Sequence, residues 1–140
     1  MIRLVITTLL LWIACQVHAD EFAIITLNPD LKTMDVNQVK LLYRGRVSHI
    51  DGIPVRLLDL PRNSVNRQHF YQKLLNKSPA QMSSIWARIS FSGKAIAPVE
   101  IEDESPERIF HWLENNKNGI AYVSEKQIPK DVYVIYQLQN

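Results

Sequence analysis

Short β-branched runs alternate along this chain with helix-type segments that each open on a capping residue, and that alternation dictates an α/β layer architecture. Phe22-Ala-Ile-Ile-Thr-Leu27 is a continuous apolar run closed by Asn28-Pro29, the pattern of a buried strand ending in a turn. Asp35 followed by Val36-Asn-Gln38 has the form of a capping box. Val36, Val39, Leu42 and Tyr43 then share one helical face before Gly45 stops the helix. A polar loop through His49 to Gly52 leads to a second strand over 54–58. Ser64 is a good N-cap for a helix over Val65 to Leu75, with Phe70, Leu74 and Leu75 turned inward and Tyr71 beside them. Ser78-Pro79 and Ser105-Pro106 each combine a cap with proline at the first helical position. The first opens a helix with Met82, Ile85, Trp86 and Ile89 on its stripe; the second opens one through Ile109, Phe110 and Leu113. A short strand at 99–101 lies between them. The runs 120–123 and 132–138 are the last strands, separated by a helical turn around Glu125 to Ile128.

The first nineteen residues follow a different grammar. Arg3 gives a positive start, Leu4 to Ala14 is an apolar stretch too short to span a bilayer, and Val17-His18-Ala19 is a small-x-small cleavage pattern. Residues 1–19 are therefore expected to be a signal peptide that sends residues 20–140 to the periplasm. The competing reading is a lipoprotein, because Trp12-Ile13-Ala14-Cys15 approximates a lipidation motif. Cys15 is the chain's one cysteine, so residues 20–140 hold no disulfide or thiolate chemistry. Sixteen basic residues face fourteen acidic ones, and the basic residues are scattered, which argues against nucleic acid as a partner. With no repeat or linker, one compact, three-layer-like domain is the simplest organisation.

The strongest candidate for chemistry is the loop Asp59 to Ser64 with the helix it opens. Free backbone N–H groups and the dipole at a helix start attract an anion, and Ser64 adds a hydroxyl. Arg62 and Arg67 flank that start, Arg67 three residues past the cap, where a guanidinium can reach back to an oxyanion. The alternative is an ordinary capped helix with two solvated arginines. Arg44-Gly45-Arg46 reads as a helix end whose arginines complement the dipole, and Ser92-Gly93-Lys94 as a turn. His49, His69 and His111 lack both a nucleophile elbow and the paired spacing of zinc ligands, so neither hydrolysis nor a metal is expected. The acidic stretch Glu100 to Glu107 reads as a solvated charge run rather than a calcium loop.

Five segments, in order, resemble the phosphate-binding periplasmic proteins of ABC transporters. They are Val39-Lys-Leu-Leu-Tyr-Arg-Gly45; Asp51-Gly-Ile-Pro-Val55; Ser64, Arg67 and Phe70 as Ser-x-x-Arg-x-x-Phe; Trp86 with Phe91-Ser-Gly-Lys94; and Asn118-Gly-Ile-Ala-Tyr-Val123. The resemblance implies a type II binding fold, of which this chain has about one lobe. It also implies phosphate held by Ser64 and Arg67, with backbone groups from Asn63 and Val65. Asn63-Ser-Val-Asn66 stands where the family has Ser-Gly-Thr, keeping the hydroxyl but losing the glycine that permits close backbone approach.

The reading that follows is a non-catalytic domain without cofactor or metal, binding phosphate or a similar oxyanion at the Ser64 helix in connection with an ABC transporter or sensor. Its alternative is an envelope accessory protein that keeps the fold and binds a protein partner. A homodimer that rebuilds the second wall of a cleft is compatible with either.

Overall fold

The computed structural model describes residues 21–139. The expected signal peptide, Cys15 and the cleavage site lie outside the described residues.

The elements follow the expected alternation. In chain order they are β1 (Phe22–Thr26), α1 (Val36–Tyr43), β2 (His49–Ile50), β3 (Ile53–Pro54), β4 (Arg56–Asp59), α2 (Val65–Leu75), α3 (Pro79–Phe91), β5 (Val99–Glu100), α4 (Pro106–Glu114), β6 (Gly119–Ser124) and β7 (Tyr133–Leu138). A single 3₁₀ turn, Glu125–Gln127, joins the last two. Five strands form one sheet in the order β5-β4-β6-β1-β7. β4 runs parallel to both β5 and β6, whereas β1 is antiparallel to β6 and β7. The central strands β1 and β6 are buried almost throughout, which is why both read as unbroken apolar runs instead of alternating ones.

Local chemistry sets the helix boundaries. Asp35 and Ser78 both close complete capping boxes, with Gln38 and Gln81 respectively, and Ser64 and Ser105 accept from the N–H three residues on. Each helix then buries an apolar stripe: Val39, Leu42 and Tyr43 from α1; Phe70, Tyr71, Leu74 and Leu75 from α2; Met82 and Trp86 from α3, which packs on α2; Ile109 and Leu113 from α4. Each large apolar side chain so buried contributes about 1.5–3 kcal/mol against exposure. The rings of Phe70 and Tyr122 stack with centroids 3.8 Å apart, and Tyr43, Tyr71 and Phe22 meet that pair edge-on.

The segment around residue 50 differs from the expected loop and strand. Asp51 and Gly52 both take positive φ (47° and 81°) and close a two-residue hairpin, β2–β3, so β4 starts only at Arg56. Asp-Gly between β-branched residues is a hairpin signal, because both turn positions need the left-handed region.

Gly45, which ends α1, shows how tightly the helices are packed. It sits at φ +70°, and a Cβ there would lie 2.6 Å from Ile89 Cδ1 and 3.0 Å from the Trp86 ring. Gly93 has a similar φ of +73° but nothing within 4 Å. Gly45→Ala is therefore expected to cost about 1–3 kcal/mol in urea unfolding, and more than Gly93→Ala, which pays only for backbone strain. Equal losses would show that the α1–α3 contact gives way freely.

Candidate functional site

The parallel strands β4 and β5 end side by side, with Asp59 opposite Glu100 in register. The chain leaves β4 to start α2 and leaves β5 to start α4. Two helix N-termini thus gather at the carboxyl edge of the parallel strands, the place where open α/β sheets receive ligands.

At this edge Ser64 caps α2. Its Oγ accepts from the Arg67 N–H at 3.1 Å and donates a short hydrogen bond to the Glu104 carboxylate, one residue before the α4 cap. Asn63 is exposed in the preceding turn, and Val65, the first helical residue, is 61% exposed. Arg67 does reach back toward the strand end, but the oxyanions that it meets are the protein's own. Nη2 lies 3.2 Å from Asp59 Oδ2, and Nη1 lies 3.3 Å from Glu100 Oε2 while donating to the Leu60 carbonyl at 3.1 Å. Arg67 is buried, so the alternative of two solvated arginines holds only for Arg62. Arg62 stays exposed, its N–H bound to Glu100 Oε1 at 3.3 Å and its Nε 3.9 Å from Glu100 Oε2.

Asp59 anchors the cluster. Tyr71 donates to its Oδ2 at 2.7 Å, the Leu60 N–H to its Oδ1 at 3.0 Å, and Tyr122 donates a short hydrogen bond to the same Oδ1. Burial pushes the Asp59 carboxyl above the ordinary range, against the opposing pull of Tyr122, Arg67, Tyr71 and the Leu60 amide. Burial is the largest influence on the Arg67 guanidinium and works against its charge, but Asp59, the two tyrosines and Glu100 together outweigh it and the group remains protonated. Tyr43, Tyr71 and Tyr122 are all held well above the usual phenol range, chiefly by burial and then by the Asp59 charge. The Tyr43 hydroxyl and Arg67 Nε are buried without hydrogen-bond partners among the described residues.

The structure therefore brings Ser64 and Arg67 to one edge but adds three acidic residues that sequence reasoning left out of the site. Asp59 was legible only as the start of a loop. Glu100 and Glu104 belong to the stretch expected to be a solvated charge run, yet the one faces Arg67 and the other binds Ser64. The signal that would have found them is topological: a short parallel strand followed by a capped helix places its exit beside the exit of β4.

In architecture this is the fold of the substrate-binding proteins of phosphate ABC transporters, over one lobe. The chain is similar to a phosphate ABC transporter substrate-binding protein from Clostridium perfringens, solved with bound phosphate: TM-score 0.60, 20% identity, over 83% of this chain and 44% of that one. It is also similar to an ABC-type phosphate transport receptor from Vibrio cholerae, with TM-score 0.60, 13% identity, over 83% of this chain and 45% of that one. The chain thus spans less than half the length of either, and identities this low speak to the fold alone. No family model matches the chain, and comparison with curated proteins finds no match.

Two outcomes follow from the buried cluster. Arg67→Met leaves Asp59 in the interior without its cation and is expected to cost about 3–5 kcal/mol in urea unfolding, with part of the loss recovered in Asp59→Asn/Arg67→Met; a loss below about 1 kcal/mol would mean that the pair is dispensable. The raised phenols give a sign as well. The unfolded chain ionises its tyrosines near pH ~10 while Tyr43, Tyr71 and Tyr122 in the folded chain resist, so stability falls as pH rises above that value. In an absorbance titration these three tyrosinates should appear only together with the loss of native circular dichroism.

Proposed function

We propose that this protein is a non-catalytic, exported binding domain that receives phosphate or a similar oxyanion at the start of α2. The observation supporting it is the Ser64–Glu104 contact: the hydroxyl at this helix start already holds a carboxylate oxygen, supplied by the chain itself, while the Arg67 amide is taken by Ser64 Oγ. The likeness of fold to phosphate-binding proteins points the same way. In this reading Ser64 and the α2 amides, with backbone groups of Asn63 and Val65, contact the anion, and Arg67 supplies positive potential from behind.

The charges set the terms of binding. Two guanidiniums, Arg62 and Arg67, stand against three carboxylates, Asp59, Glu100 and Glu104. A free anion must displace Glu104 from Ser64 and approach Glu100, so the wild-type site binds weakly. Glu104→Gln removes the competing charge and preserves the shape. In calorimetric titrations with inorganic phosphate at low salt, Glu104→Gln is expected to bind about tenfold more tightly than wild type, a gain of about 1.4 kcal/mol, and Ser64→Ala in that background to lose the gain. Absence of saturable heat in all three proteins would sink the reading. Ser64→Ala serves this test better than any Arg67 variant, which would also disturb the fold.

A second reading, an envelope protein that binds a protein partner through its open face, draws on the exposed Phe91 (97%) and Ile96 (70%) near the end of α3. Two chains face to face, each supplying the wall that the other lacks, would join the two readings. Phosphate-dependent dimerisation in sedimentation velocity is the result which that variant requires.

A further inference from the structure

At the opposite end of β4 from Ser64 lies a cleft that shares no residue with the start of α2. It has a volume of about 410 Å³ and runs between the C-terminal turns of α1 and α3, the first residue of β4 and the 93–96 turn. Leu42, Leu57, Trp86 and Ile96 give it apolar walls, and Arg56 and Lys94 supply its positive charge. An adjoining hollow of about 310 Å³ shares Lys94 and adds Arg46.

Three features point to a ligand. The volume lies at the small end of the range for organic-ligand sites, which suits one small molecule rather than a peptide. Arg46, Arg56 and Lys94 form no ion pair with any described carboxylate, in contrast to Arg62 and Arg67 at the other end of β4. Trp86 lines the cleft, is itself only 6% exposed, and keeps an indole N–H that is buried without an acceptor among the described residues. An unpaired donor of this kind costs about as much as a lost hydrogen bond, and the ring that carries it forms part of the cleft wall.

We infer that this cleft binds an amphipathic organic anion, with an apolar body against Leu42, Leu57, Trp86 and Ile96 and an acidic group among Arg46, Arg56 and Lys94. The apolar walls would hold the body, and three cations unpaired among the described residues would select the charge. Inorganic phosphate has no body to place against such walls, which sets this site apart in chemistry as well as in place from the start of α2.

The test uses the purified protein with two fluorescent probes of nearly the same shape, anionic 8-anilino-1-naphthalenesulfonate and neutral N-phenyl-1-naphthylamine. The sulfonate is expected to bind one-to-one, at least about tenfold more tightly than the neutral probe, and to shift the Trp86 indole N–H resonance but not that of Trp112. Arg56→Glu/Lys94→Glu, checked for an unchanged unfolding transition, is expected to abolish the preference for the sulfonate. Equal affinity for both probes, a stoichiometry above one, or a Trp86 resonance that stays in place would overturn the inference. The probe comparison and the resonance shift are both read on the wild-type protein, so they decide the matter even if the double variant fails to fold. Neither depends on Ser64, so a blank phosphate titration leaves this test intact.

Discussion

The Asp59 carboxylate is the point on which the rest of the structure hangs. It ends β4, receives the Tyr122 hydroxyl from β6, and takes the Arg67 guanidinium and Tyr71 hydroxyl from α2. The following helix and the distant strand β6 are thereby both fixed to one carboxyl group at the end of β4. Its partners fill both oxygens, which is the condition for tolerating a buried anion, since an unpaired charge in this interior would cost several kcal/mol. Arg67 is in turn oriented by the same carboxylate and passes its second nitrogen outward to Glu100 and the Leu60 carbonyl.

Such a cluster is not the cheapest way to fill a core. A buried ion pair is often no more stabilising than apolar side chains of equal volume. What the polar groups add here is registry. The Phe70–Tyr122 stack alone would tolerate sliding of α2 along the sheet, because apolar contacts are nondirectional. The hydrogen bonds from Tyr71 and Tyr122 to one carboxylate do not, and they set where α2 begins. The position of Ser64 relative to the end of β5 is therefore decided by residues on the interior side of the helix.

This division explains what was legible in the sequence. The helix starts at Ser64, Ser78 and Ser105 were plain because capping is local: the cap and its N–H partner lie three residues apart. The buried strands β1 and β6 were plain because both faces are covered and every residue is apolar or small. The hairpin at Asp51-Gly52 carries its signal in two residues, but it reads as a polar loop before a single strand because Pro54 to Leu58 is also β-rich. The candidate site was legible by half. Ser64 and Arg67 declare themselves through helix position, whereas Glu100 and Glu104 reach them only through the β4–β5 pairing, from 33 and 40 residues away. A charge run and a neutralising set of carboxylates look alike until the topology is known.

The charge balance at the α2 start also bears on how a lobe of this fold can handle an anion. Unit charges about 4 Å apart near a protein surface interact by roughly 4 kcal/mol at an effective dielectric of 20, so replacing one internal carboxylate by an external anion is nearly an exchange of equals. A tethered carboxylate is present at an effective concentration of order millimolar or more. On the proposed reading, free phosphate would prevail only when it is abundant, or when something else draws the 100–104 segment away. A second wall closing over the edge, whether from another copy or from a partner, would do this by offering Glu104 a new hydrogen-bond donor and by removing water from the anion, which strengthens each contact made to it. Such an arrangement makes anion binding and surface contact energetically coupled, since each would relieve the cost of the other.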